Sequence, residues 1–86
     1  MKKTSVLLAD DHTLIRAGLR LVVDAQSDLT VVGEASDGRE AVAMAGSLKP
    51  DVVVMDIGMP NLNGIEACRQ IRAALPEAQV VMLSMH

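Results

Sequence analysis

Three aspartates are the residues of this chain best placed to do chemistry together. Asp10 and Asp11 follow the apolar run Val6-Leu7-Leu8-Ala9, and Asp56 closes the run Val52-Val53-Val54-Met55. The second run is bounded by Pro50 before it and by Gly58 and Pro60 after it. Short apolar runs bounded by turn residues read as strands buried on both faces, of the kind found in parallel sheets covered by helices. Ligands of such sheets gather at the carboxyl ends of the strands. If the two strands are parallel neighbours, three carboxyl groups converge on one rim. Like charges a few ångströms apart repel, and with no counter-ion at least one carboxyl keeps its proton. A hard divalent cation relieves that conflict, and Mg²⁺ suits one or two carboxylates plus a phosphate. The expectation is an Mg²⁺-assisted phosphoryl site with Asp56 as acceptor.

The elements that must carry these residues can be read in order. Thr4 to Ala9 is a strand. Asp11, His12 and Thr13 offer a helix start, and Leu14, Ile15, Gly18, Leu19, Val22 and Val23 recur at helical spacing. Arg16, Arg20 and Asp24 line the other side of that helix, with Arg20 and Asp24 spaced to pair. Leu29 to Ala35 is β-branched and roughly alternating, which suits a strand nearer the sheet edge. Asp37 and Glu40 have the spacing of a capping box, followed by the stripe Ala41, Met44, Ala45 and Leu48. Asn63 and Glu66 repeat the capping pattern before a helix expected to turn Ile65, Cys68, Ile71 and Leu75 inward, stopped by Pro76. Gln79 to Leu83 is a fourth strand, and Ser84 follows it. Strand and helix alternate throughout, which predicts an α/β fold with a doubly wound parallel sheet and right-handed crossovers.

Bulk properties exclude several function classes. Eighty-six residues make one domain, and an apolar content of 50% argues against disorder. Phe, Tyr and Trp are all absent, so the core is aliphatic. A net charge of −3 without a basic block leaves no electrostatic footprint for nucleic acid. The single cysteine, Cys68, forms no internal disulfide, and no run is long enough to cross a bilayer. The expected setting is cytoplasmic, with no membrane contact. Two histidines and one cysteine, scattered as they are, make no zinc site. His12 reads as a loop residue near the rim rather than a ligand.

With these residues in view, the chain resembles the receiver domain of two-component response regulators, in particular the NarL/FixJ type. The resemblance is carried by Leu8-Ala9-Asp10-Asp11-His12, Arg16-Ala17-Gly18-Leu19, Val32-Gly33-Glu34-Ala35, Asp37-Gly38-Arg39-Glu40-Ala41, Pro50 to Asp56, Met59-Pro60, Asn63-Gly64 and Leu83-Ser84-Met85-His86. It implies a flavodoxin-like sheet with strand order 2-1-3-4, in which the first and third strands are neighbours. It further implies that Asp56 accepts a phosphoryl group from a sensor histidine kinase. Asp11, Asp56 and the main-chain carbonyl of Gly58 would ligate Mg²⁺, Asp10 would act through a bound water, and Ser84 would be the hydroxyl that senses the phosphate. Relative to the family pattern the chain ends early. The fifth strand with its lysine, the last two helices and the DNA-binding helix-turn-helix domain are absent. Residues 1–86 therefore read as a partial receiver domain, with DNA a partner of the parent protein only.

Three other readings compete. A haloacid-dehalogenase-type phosphatase would need a second carboxylate two residues after Asp56, where this chain has Gly58. A flavin binder would stack its cofactor on aromatic residues, which are missing. The third alternative is a receiver fragment that folds or self-associates through an exposed fourth-strand edge but does not signal.

Overall fold

The apolar runs form strands and the periodic segments form helices, in strict alternation. The computed structural model describes residues 3–83. It contains β1 (Thr4–Ala9), α1 (Thr13–Asp24), β2 (Leu29–Ala35), α2 (Gly38–Leu48), β3 (Val52–Asp56), α3 (Gly64–Ala74) and β4 (Gln79–Leu83). The strands form one parallel sheet in the order β2-β1-β3-β4. β1 and β3 are neighbours, as the carboxylate argument requires, and β2 lies at an edge. Ala9 pairs with Met55, and Asp56 pairs with Leu83, so the acidic ends of β1 and β3 finish level with each other.

The amino ends of β1 and β3 are held in register by side chains. Asp51 Oδ2 accepts from the Ser5 N–H at 2.9 Å and from its Oγ at 3.0 Å, and the Asp51 N–H donates to Ser5. Both expected caps form. Asp37 Oδ1 accepts from the Glu40 N–H at 2.8 Å, and Asn63 Oδ1 from that of Glu66 at 3.0 Å. Glu40 reaches back one residue beyond the cap, accepting from the Ser36 N–H at 3.0 Å rather than from that of Asp37 as in a regular capping box.

The two faces of the sheet are covered unequally. On one face, α2 and α3 pack over Leu7 and Ala9 of β1 and Val53 and Met55 of β3, all fully buried. Ala41 and Ala45 of α2 and Ala67 and Ile71 of α3 close that core. On the other face α1 lies over β1 and β2, buries Val6 and Leu8, and leaves Leu14, Leu21 and Val22 exposed. No residue of α1 is itself buried.

Two expectations change. β1, rather than β3, is the strand buried on both faces; Val52 and Val54 are half-buried because α1 does not reach across to them. α3 keeps part of its expected face: Ile71 is buried and Leu75 packs against the core, but Ile65 is 67% exposed and Cys68 half-buried, and Gly64 and Ala67 complete the inward stripe. Small residues let the helix approach the sheet closely, and a reading weighted toward large apolar residues misses them. Gly18 makes no close helix contact: a Cβ there would meet nothing within 4 Å.

Candidate functional site

The rim formed by the carboxyl ends of β1 and β3 gathers the chemistry. Asp10 follows the last residue of β1, and its N–H donates to the Ala35 carbonyl of β2 at 3.0 Å. Asp56 ends β3. Both side chains are held by the same local device, a carboxylate oxygen accepting a main-chain N–H two residues on. Asp10 Oδ1 accepts from His12 at 2.7 Å, and Asp56 Oδ1 accepts from Gly58 at 3.1 Å. That leaves the second oxygen of each. Asp10 Oδ2 and Asp56 Oδ2 are buried without any hydrogen-bond partner, in residues only 1% exposed. Leaving a charged oxygen buried and unpaired is unfavourable, and the ordinary remedy is a counter-charge.

Asp11 supplies a third carboxylate at the mouth of the site, its side chain 31% exposed. One donor atom from each of Asp10, Asp11, His12 and Asp56 lies within 4.8 Å of the others. The sequence reading placed the three aspartates together, and the structure does so. His12, expected as a loop residue near the rim, lies there as the N-cap of α1, and its imidazole sits among the carboxylates. Nδ1 is 3.1 Å from Asp10 Oδ1, 3.2 Å from Asp11 Oδ1 and 3.8 Å from Asp56 Oδ2. The one signal for this in the sequence was its position directly after Asp10-Asp11. Gly58 follows Asp56 in the turn that leads out of β3. Ser84 lies outside the described residues, one position beyond Leu83, the partner of Asp56 across the sheet.

Two supports were missed in the sequence. Arg16 reaches from α1 to donate to the Asp10 carbonyl, and its Nε lies 3.0 Å from Glu34 Oε1. Arg20 also binds Glu34, in addition to the expected pairing with Asp24 at 3.4 Å. The hydrogen bond from Arg20 is the main reason that the Glu34 carboxyl is held below its ordinary range; Arg16 adds to the effect and burial opposes it. These arginines thus tie α1 to β2 and to the backbone beneath the site. The second support is the loop after β3. A Cβ on Gly64 would lie 2.4 Å from the Asp56 carbonyl oxygen, and one on Gly38 would lie 1.7 Å from that of Leu62. Asn61, with φ 67°, donates to Asp37 Oδ2 at 2.9 Å, so the loop is fastened to the α2 cap. The Asp37 carboxyl is lowered by the Glu40 N–H first and by Asn61 second.

An Asp-rich rim on a sheet of this order defines a class. The family profile of the response regulator receiver domain matches residues 6–86, and the chain belongs to that family. Receiver domains of response regulators are signalling modules. The chain is 50% identical over 82 residues to the transcriptional regulatory protein YxjL of Bacillus subtilis, covering 95% of this chain and 38% of that protein. It is 46% identical over 79 residues to the response regulator protein VraR of Staphylococcus aureus, covering 92% of this chain and 38% of that protein. Among solved structures, the response regulator domain of Thermotoga maritima CheB superposes with a TM-score of 0.92 at 49% identity, covering 96% of this chain and 61% of that one. The signal receiver domain of a NarL response regulator from Mycobacterium tuberculosis gives 0.94 at 33% identity, covering 100% and 69%. The fold is that of flavodoxin-like receiver domains. The chain spans 38% of the length of these two curated relatives. Among the described residues no helix is long and apolar enough to cross a membrane.

Proposed function

We propose that the chain is the phosphoacceptor module of a two-component response regulator, with Asp56 taking the phosphoryl group of a phosphohistidine on a sensor histidine kinase. The observation that carries this reading is the cluster of Asp10, Asp11 and Asp56 at one rim, with one buried oxygen each on Asp10 and Asp56 left without a partner. An unpaired oxygen pair of this kind fits a hard dication, and oxygen ligands suit Mg²⁺. Asp11, Asp56 and the Gly58 carbonyl would hold it, with Asp10 acting through a bound water. When bound, Mg²⁺ supplies positive charge against the transferring phosphoryl oxygens.

The remaining work falls to the chain itself. A carboxylate oxygen of Asp56 forms the new bond to phosphorus as the phosphorus–nitrogen bond of the donor breaks. The electron pair returns to the donor imidazole, and an acyl phosphate remains on Asp56. Protein catalysis of such transfers is largely positioning and electrostatics. The N–H of Gly58 fixes the orientation of the Asp56 carboxylate, and Arg16 fixes the backbone beneath Asp10. Ser84, which follows Leu83 in the sequence, would be the hydroxyl that senses the phosphate. The phosphate stays on the protein, so the chain is a switch element rather than a turnover enzyme. Its setting is the cytoplasm, where histidine kinases present their phosphate. In a longer protein like the transcriptional regulators it matches, DNA binding is the output.

Incubation with acetyl phosphate and Mg²⁺ tests the acceptor. Intact mass should show one added phosphoryl group that disappears in Asp56→Asn and on removal of Mg²⁺ by a chelator. Phosphate retained by Asp56→Asn would refute the assignment. A second, non-signalling reading has its own observation: β4 is the end strand of the described sheet, and Val81 on it is 45% exposed. Such an edge can pair with a second copy. Sedimentation velocity should then show a dimer that Val81→Lys dissociates, and a concentration-independent monomer would dismiss self-association.

A further inference from the structure

The acidic rim contains a donor that the reading above does not use. We propose that His12 is a ligand of the same cation site through Nδ1, so that the site takes borderline transition-metal dications such as Mn²⁺, Co²⁺ and Ni²⁺ with mixed nitrogen and oxygen ligation, in addition to Mg²⁺. This deepens the acceptor reading and rests on it.

Geometry is the first argument. Adjacent ligands on an octahedral dication with bonds of about 2.1 Å stand roughly 3.0 Å apart, the diagonal of that square. His12 Nδ1 stands 3.1 Å from Asp10 Oδ1 and 3.2 Å from Asp11 Oδ1. Its distance of 3.8 Å to Asp56 Oδ2 places the ring against the buried oxygen that has no hydrogen-bond partner. One donor atom from each of the four residues lies within 4.8 Å of the others, and the distances from Nδ1 to Asp10 and Asp11 are close to the spacing of adjacent ligands.

Local structure gives the second argument. His12 is the N-cap residue of α1, a position that favours Ser, Thr, Asp or Asn because their side chains accept from the helix amides. The His12 side chain makes no such bond. Its backbone serves the helix, since its carbonyl accepts from the Arg16 N–H at 2.9 Å, while the imidazole turns to the carboxylates instead. Local rules are most often broken at functional sites.

Ligand chemistry supplies the third. The tautomer of His12 that carries its hydrogen on Nε2 presents the Nδ1 lone pair to a cation among the carboxylates. Imidazole nitrogen suits first-row transition metals, whereas Mg²⁺ keeps oxygen and water ligands. Removing His12 should therefore separate the two kinds of ion.

The test uses the untagged chain, whose only two histidines are His12 and His86. Mg²⁺, Mn²⁺, Co²⁺ and Ni²⁺ are titrated by calorimetry into the native protein, His12→Ala and His86→Ala. Pulsed EPR of bound Mn²⁺ reads nitrogen coupling directly, and it does so in the native chain even if a variant fails to fold. The proposal expects imidazole nitrogen coupling in the native protein and in His86→Ala, and none in His12→Ala. It also expects His12→Ala to weaken Co²⁺ and Ni²⁺ by at least about tenfold, the loss typical even for an outer partner of a ligand, with a much smaller change for Mg²⁺. Absence of nitrogen coupling in the native chain, or equal weakening of all four ions, overturns the role of His12 while Mg²⁺ binding leaves the acceptor reading standing. Failure of every ion to bind overturns both.

Discussion

Each end of the β1–β3 pair carries carboxylates, and the two rims treat them in opposite ways. At the amino rim, Asp51 is exposed and accepts from both the N–H and the hydroxyl of Ser5. At the carboxyl rim, Asp10 and Asp56 are buried, stand close to Asp11, and keep one oxygen each without a partner. The first arrangement stabilises a strand register. The second opposes folding, because like charges are brought together and removed from water. Residue type alone does not distinguish a structural aspartate from a chemical one; the partners do.

The largest effect expected from that contrast lies in the backbone under the carboxyl rim. Gly64→Ala sets a Cβ 2.4 Å from the Asp56 carbonyl oxygen and 2.8 Å from Ile57 Cα, and neither is the tip of a flexible side chain. The variant should lose roughly 1–3 kcal/mol. Gly18→Ala, with nothing within 4 Å, should gain up to about 1 kcal/mol from helix propensity. Urea denaturation followed by far-UV circular dichroism measures both. A harmless Gly64→Ala would mean that the loop is not held as closely as described.

The aspartates themselves come next. Asp51→Ala removes the two hydrogen bonds that its carboxylate accepts from Ser5 at an exposed position and should destabilise by roughly 1–2 kcal/mol. Asp56→Asn removes a buried charge and should be neutral or stabilising by about 0.5–2 kcal/mol, the common trade of stability for function. Mg²⁺ sharpens the comparison. At a hundredfold excess over its dissociation constant it should stabilise the native chain by about 2.7 kcal/mol and leave Asp56→Asn nearly unmoved. Equal losses for the variants at both rims would erase the distinction.

Much of this was legible in the sequence. The runs ending in Asp10 and Asp56, the caps at Asp37 and Asn63 and the alternation of elements are local signals, and each corresponds to a feature of the structure. The adjacency of β1 and β3 came from the family resemblance, since no local pattern encodes strand order. What escaped was set by contacts between distant segments. Glu34 meets Arg16 and Arg20 only after β2 docks beside β1. Gly38 and Gly64 are required by chain segments that approach them from elsewhere. The α3 face was read only in part, at Ile71 and Leu75, because Ala67 carries little hydrophobic signal yet packs fully. His12 escaped because one histidine among loop residues has no period to betray its direction.

The smallest effect concerns a third kind of carboxylate, paired and partly exposed. The Glu34 carboxyl lies below its ordinary value of 4.5 chiefly because Arg20 donates to it. A carboxyl lowered in the folded state contributes stability above its unfolded value, and that contribution is lost as the pH falls through the folded one. Glu34→Gln should therefore flatten the part of the acid limb that begins near pH 4.5 and continues below it, in denaturation midpoints measured against pH. An unchanged acid limb would show that the arginine pairs contribute nothing measurable, as is common for exposed pairs.

The most direct test of the acceptor pocket is an amide ¹H–¹⁵N correlation spectrum of the chain with and without Mg²⁺ plus beryllofluoride, a mimic of an aspartyl phosphate. The account predicts a dispersed spectrum in which the amides of Asp10, Asp11, Asp56 and Gly58 shift with Mg²⁺ and shift further when beryllofluoride is added. A dispersed spectrum in which those four amides ignore both additions would contradict it.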